Sequence, residues 1–306
     1  MLRFYSKSAD DEEFILIPNP EEGCWIIADE ANSSDINAIC ALTGLEYADL
    51  QDCLDRYEMP RLEQIKNHLL IFTRYPTDHE IGLYTSTLTI ILSEKYFITI
   101  SPDKSLLIET FVQRAPKIST RQKSKLLLLL LLKISQEFNI QIRRVRYLVL
   151  TQEKEMISVE SEDITALTKN EEVLNQMLSA LVPLRTVLQN IALGKSQIIE
   201  ERDKEQADDL LNAIRQSEEL CSSVVKSIRS LRDSYQIIFT NNLHKTIKLL
   251  TSLTIIFSIP TMIASLYGMN VGLPLSQGPH AFALVMGMIF FLSITGLIFF
   301  KRKRWL

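Results

Sequence analysis

Charged residues recur along the first 248 positions and then stop. Residues 249–300 contain no Asp, Glu, Lys or Arg. A bilayer core of about 30 Å needs roughly 20 helical residues at about 1.5 Å each. These 52 residues are too many for one span and suit two joined by a turn. Gly268, Asn270, Gly272, Pro274, Gly278 and Pro279 cluster between the two apolar runs, and such residues break helices. The pattern predicts a first span at 249–268, an external loop at 269–280, a second span at 281–300 and a basic tail at 301–306. A further apolar run, seven leucines at 126–132, is bracketed by Lys125 and Lys133. It is far too short to span and predicts a buried helix segment.

Upstream, the period of the apolar positions changes once. Short runs rich in β-branched and aromatic residues at 14–17, 25–28, 68–74, 83–92 and 96–100 predict strands. Helical patterns fall between them near 34–42 and 47–55, with Ser34 or Asp35 as the expected cap of the first. After Pro116 the charged and leucine-rich periodicity becomes helical throughout. This divides the soluble part into an α/β domain at 1–118, a helical hairpin at 119–200 and a stalk at 201–248. The second long helix is expected to end at Gly194. From Asp203 to Tyr267 there is no Gly and a single Pro, Pro260. A helix of that length is not coverable by one chain and implies self-association.

Composition narrows the class. Hydrophobic residues make up 46% and charged residues 23%, with only 9 Gly and 10 Pro, which excludes disordered and collagen-like chains. The uncharged stretch excludes a wholly soluble protein. The first 248 residues hold 29 basic and 37 acidic side chains, a net of −8, whereas Lys301, Arg302, Lys303 and Arg304 close the chain. An acidic body with a short basic tail does not suit nucleic acid and does suit cations. Lys245 and Lys248 precede the first span, the tail follows the second, and the loop carries no Lys or Arg. The positive-inside rule then puts both termini in the cytoplasm, with Trp305 as an interfacial anchor. Residues 1–20 lack the apolar core of a signal peptide. Cys24, Cys40, Cys53 and Cys221 form no CxxC pair and read as reduced thiols. No HExxH, GxxxxGK, GxSxG or GxGxxG occurs, so enzyme chemistry has no support. His68 and His79 stand alone and read as structural or surface positions.

The first span is not apolar all round. A helix turns by about 100° per residue, which gathers Thr240, His244, Thr251, Thr254, Ser258, Thr261 and Ser265 on one face roughly 100° wide. Leu249, Leu253, Ile256 and Ile263 occupy the opposite face. Two readings of such a stripe stay open: hydroxyls that bond their own helix and permit tight packing, or the lining of a water-filled axis between copies of the chain.

Tyr267-Gly268-Met269-Asn270 stands where the first span meets the loop. Together with the paired C-terminal spans and the closing Lys-Arg-Lys-Arg-Trp-Leu, it resembles the CorA family of divalent-cation channels. Val182-Pro183-Leu184-Arg185 is similar to that family's Pro-Leu-Arg segment, and a weaker likeness extends over 44–75. The resemblance implies an α/β cytosolic N-terminal domain, long helices and a C-terminal two-helix transmembrane hairpin, assembled as a funnel-shaped homopentamer in the plasma (inner) membrane. It implies that Gly268, Met269 and Asn270 form the ion-selecting outer mouth. Asn270 amide oxygens there would hold the waters of Mg²⁺, an ion that dehydrates reluctantly, and Gly268 would let the backbone turn.

By the same resemblance His244, Leu250, Thr251, Thr254, Ser258 and Thr261 line the pore, with Leu250 as a hydrophobic constriction. His244 replaces the family's usual Asn, and imidazole suits Zn²⁺, Co²⁺ or Ni²⁺. The loop also departs from many relatives in having no acidic residue. Asp52 and Asp209 match the two carboxylates that hold a regulatory Mg²⁺ between subunits in the family. Gln51 precedes the first in place of an acid, and Asp208 stands beside the second. The expected function is Mg²⁺ uptake closed by cytosolic Mg²⁺. The alternatives are a Zn²⁺ transporter of the ZntB type, coupled to protons, and, in another class, a non-conducting membrane-anchored oligomeric sensor.

Overall fold

The computed structural model describes residues 2–77, 84–155, 160–193, 203–274, 278 and 280–305. The expected helix stop at Gly194 and the isolated His79 lie outside these residues. The chain forms two compact units, one of residues 1–157 and 165–231 and one of 158–164 and 232–306.

The first unit is built on a sheet of seven strands. They are β1 (Leu2–Ser6), β2 (Ile15–Ile17), β3 (Trp25–Ala28), β4 (Arg61–Ile65), β5 (His68–Pro76), β6 (Thr85–Leu92) and β7 (Phe97–Ile100). Their order is β2-β1-β3-β7-β6-β5-β4, and only the β3–β7 pair is parallel. The central strands β3, β6 and β7 are buried on both faces; β3 is accordingly a continuous apolar run, whereas β6 and β7 bury Thr85, Ser86, Thr87, Thr89 and Thr99 among their apolar residues. One face, carrying Ile26, Ile98, Ile91 and Phe72, packs against Ile36 and Ile39 of α1 (Ser33–Thr43), Leu50 of α2 (Tyr47–Leu50) and Cys53. The other carries Trp25, ringed edge-on by Phe14, Phe97 and Phe111 at 5.4–6.0 Å, with its indole N–H donating to Thr99 Oγ1 at 3.0 Å.

Three details differ from expectation. Asn32, not Ser34 or Asp35, caps α1: its Oδ1 accepts from Ser34 N and Asp35 N at 2.9 and 3.1 Å, while Asp35 returns the bond as the third helical residue. An Asn side chain satisfies the free N–H groups as well as Ser does. The helix expected over 47–55 is two short pieces, because after α2 the chain tightens into a 3₁₀ turn, Gln51–Leu54. Strands β1 and β4, and helix α3 (Leu106–Arg114), appear where no element was expected.

Long helices follow: α4 (Lys123–Glu155), α5 (Ser161–Ala192), α6 (Lys204–Tyr267) and α7 (Ala281–Arg302). Five of the seven leucines at 126–132 are buried in α4, as their pattern predicts. Along α6 the buried residues Ala207, Leu210, Ile214, Ser217, Cys221, Val224 and Ile228 alternate steps of three and four. That spacing is a coiled-coil seam. It is pinned by Asn139 Nδ2 donating to Ser217 Oγ at 2.7 Å, by Arg229 Nε on Glu171 Oε1 at 2.6 Å, and by Arg185 of the Pro-Leu-Arg segment on Glu218 at 2.8 Å.

Candidate functional site

In the second unit, α6 and α7 contain the two stretches that, among the described residues, are long and apolar enough to cross a membrane. One face of α6 meets α7. Ile256 and Ile259 reach to within 3.8 and 3.7 Å of where a side chain on Gly296 would begin. Ser252 and Ile263, on that same face of α6, are buried. At those distances a Cβ would make ordinary van der Waals contact, so the face of α7 that carries Gly296 lies against α6.

The hydroxyl stripe lies away from that contact. His244, Leu250, Thr251, Thr254, Ser258, Thr261 and Ser265 are all exposed. Thr254 Oγ1 donates to the Leu250 carbonyl at 2.9 Å, Ser258 Oγ to Thr254 at 2.8 Å and Thr261 Oγ1 to Phe257 at 3.0 Å. Bonding of hydroxyls to their own helix, the first reading of the stripe, is thus seen at Thr254, Ser258 and Thr261. The protons of these three hydroxyls are used within the helix, and each of the three oxygens keeps acceptor capacity for whatever lies outside it. Acceptor oxygens attract water and cations. In hydrocarbon they would go unsatisfied, so a stripe of them calls for cover by water or by other helices.

The helix closes where the triplet begins. Gly268 N donates to the Ala264 carbonyl at 2.9 Å and Met269 N to Leu266 at 3.3 Å, after which Asn270 stands exposed beyond the last turn. The Tyr267 hydroxyl donates to the Pro274 carbonyl at 3.3 Å and ties the loop back to the helix end. Gly268 does not turn the chain through a left-handed conformation, because among the described residues only Gly23 and Gly44 are glycines of positive φ. What Gly268 supplies is clearance, since a Cβ there would sit 3.2 Å from the Ala264 oxygen.

Asp52 and Asp209 both belong to the first unit. Asp209 is exposed on α6. Asp52 lies in the 3₁₀ turn, 48% exposed, with its Oδ2 held at 2.8 Å by Arg61 Nη2. Cys53 beside it is buried, which pushes its thiol up to about 12. Among the described residues no three His, Cys, Asp or Glu side chains converge to hold a metal. A regulatory ion at Asp52 would need further ligands from water or from another copy, as an ion between subunits does.

The pattern did not disclose three supporting groups: Arg61, which holds Asp52; Tyr267, which holds the loop; and Gly296, which seats α7. Gly296 had a signal as a small residue inside an apolar span, and Tyr267 stood in the quoted motif without its hold on the loop being visible; Arg61 had none.

The family described as CorA-like Mg²⁺ transporter protein matches residues 20–302. A cobalt/magnesium transport protein CorA of Methanocaldococcus jannaschii is 25% identical over 298 residues, covering 92% of this chain and 91% of that protein. The complete structure of the CorA magnesium transporter from the same organism superposes with a TM-score of 0.81 at 23% identity, over 100% of this chain and 99% of that one. The ZntB cytoplasmic domain from Vibrio parahaemolyticus gives a TM-score of 0.62 at 10% identity, over 76% and 96%. With a match running from just before β3 to the end of the last helix, this chain belongs to the CorA family.

Proposed function

We propose that this chain is an integral membrane transporter of Mg²⁺ and Co²⁺, conducting through an axis lined by α6. The observation that carries the reading is the exposed oxygen stripe from Thr251 to Ser265, on the side of α6 away from the α7 contact, in a helix that ends just before an exposed Asn270. Copies of α6 brought together around that stripe, five by family resemblance, enclose a wet path ringed by neutral oxygens. Asn270 amides at its outer end hydrogen-bond a hydrated dication without stripping it, and neutral donors and acceptors bind weakly enough for release. Leu250, 65% exposed on α6, closes the path by dewetting. His244 lines the inner mouth. The soluble unit senses cytosolic Mg²⁺ through Asp52 and Asp209 of neighbouring subunits. Bound Mg²⁺ bridges carboxylates that otherwise repel, and its loss loosens the assembly and opens the path. Both termini face the cytoplasm of the inner membrane, as the basic residues flanking the spans support.

A second reading, Zn²⁺ transport, is favoured by His244 and by the lack of acidic residues in the loop. Ni²⁺ would follow the same imidazole preference.

Purified protein in proteoliposomes separates them. Under an inside-negative potential, Mg²⁺ enters, and Asn270→Ala reduces entry at least about tenfold, because several hydrogen bonds of about 1 kcal/mol each are lost from the ring. Zn²⁺ flux that rises with a proton gradient, with Mg²⁺ flux absent, would support the second reading. No flux of either ion from an intact oligomer would leave the sensor.

A further inference from the structure

One cation already sits on the Asp52 carboxylate. Arg61, the first residue of β4, places Nη2 2.8 Å from Asp52 Oδ2 and Nε 2.7 Å from Glu63 Oε1, and pairs through Nη1 with Glu58. Its guanidinium stacks on Phe72, 3.9 Å from the ring centre. Phe72 is fully buried. Desolvation acts to lower the Arg61 pKa, but the bond to Glu63 and the charges of Glu58 and Glu63 outweigh it and leave the group raised. One fixed positive charge thus serves three carboxylates, and Asp52 is the most exposed of the three.

We propose that Arg61 is a tethered competitor for the metal: it occupies Asp52 and so sets how much Mg²⁺ is needed to close the protein. The inference rests on the reading of Asp52 as a regulatory ligand. A dication reaching Asp52 must displace or share with the guanidinium, and Arg61 keeps Glu58 and Glu63 when it lets go. The exchange is of one cation for another at a carboxylate whose geometry stays fixed by β4 and the 3₁₀ turn. Because a guanidinium does not lose its proton in proteins, the competition holds across the physiological pH range. The sensor is thereby tuned toward higher cytosolic Mg²⁺ than bare carboxylates would report.

The test measures the Mg²⁺ concentration that half-protects the full-length protein in detergent from chymotrypsin. Arg61→Gln removes a charge-assisted hydrogen bond from Asp52 and lowers that midpoint about tenfold. Arg61→Lys keeps a point charge but not the fork, and lowers it less. It also carries the test if Arg61→Gln fails to fold, which far-UV circular dichroism reveals. Asp52→Asn raises the midpoint, and adding Arg61→Gln to Asp52→Asn produces no further change. An unmoved midpoint in both Arg61 variants, with Asp52→Asn still shifted, would overturn the competitor while leaving Asp52 a ligand. A shift that persists in the double variant would also overturn it, since Glu58 or Glu63 would then be the freed group. If Asp52→Asn itself changes nothing, the reading of Asp52 fails and the competitor falls with it.

Discussion

The sheet and the paired spans use the same apolar residues to opposite ends. Trp25, Phe72 and Phe97 are sealed within one chain, at 0% exposure. Phe282 and Phe291 on α7 are 80% and 71% exposed, and Phe257 and Leu250 on α6 are nearly as bare. The first unit therefore completes its core by itself. The second completes it only with lipid or with other copies, because contiguous apolar surface of this extent does not stay in water. Polar groups reverse as well. In the first unit an interior Ser217 is locked by Asn139, whereas in the second Thr251, Thr254, Ser258, Thr261 and Ser265 are left outward and collect on one stripe. Stability is concentrated in the first unit, and the surface that depends on surroundings is concentrated in the second.

The largest effect that would break this contrast comes from equal truncations in the two regions. Phe97→Ala removes a fully buried ring beside Trp25 and costs about 3–5 kcal/mol of stability. Phe291→Ala exchanges one lipid-facing group for a smaller one and costs less than about 1 kcal/mol, since both states of α7 stay in an apolar solvent. Thermal unfolding in detergent compares the two, and equal losses would mean that α7 buries Phe291 against protein.

A smaller effect sharpens the contrast without changing a side chain. All four cysteines lie in the first unit. Burial pushes Cys53 and Cys221 up to about 12, so at pH 8 only about one thiol in ten thousand is the reactive thiolate. Cys40, partly exposed, is alkylated first, and Cys53 and Cys221 react only when denaturant opens the first unit. The sign for stability follows. A thiol whose folded pKa lies above the ordinary 9.0 favours the fold below that pH, and this contribution is lost as pH rises from 9 toward 12. Mass spectrometry of alkylated peptides over pH 7–9 checks the labelling, and thermal unfolding over pH 9–12 checks the stability. Native-state labelling of Cys53 equal to that of Cys40 would show the core to be open.

Most of the helical half was legible, because long periods without Gly or Pro and without charge leave few alternatives. The bounds of α6 and α7 fall within a few residues of the pattern. In the sheet, β3 was legible to the residue, since a buried strand is a continuous apolar run. β4 was not: Arg61, Glu63 and Gln64 are what an edge strand carries to stay unpaired on its outer side, and they mask its alternation. β1, half-buried throughout with Arg3 as its second residue, hides in the same way. At the candidate site the Gly-Met-Asn triplet was readable as a local string. The pairs Asp52–Arg61 and Glu171–Arg229 were not, because 9 and 58 residues separate partners that only the fold brings together. Periodicity placed the hydroxyls of α6 on one face but did not say whether another helix covered it. The seat of Gly296 on Ile256 and Ile259 answers that within one chain: α7 takes the other side.

The central claim is that the α6 stripe faces water in the assembled protein. Single substitutions to cysteine along the span, in a chain with Cys24, Cys40, Cys53 and Cys221 replaced by alanine, test it most directly. A membrane-impermeant charged thiosulfonate is applied to the protein in vesicles with Mg²⁺ removed. The account predicts labelling at Thr251→Cys, Thr254→Cys, Ser258→Cys and Thr261→Cys, with protection by added Mg²⁺, and none at Ile256→Cys or Ile259→Cys, which face α7. Labelling of the Ile positions with the hydroxyl positions silent, or silence along the whole span in a folded oligomer, would contradict it.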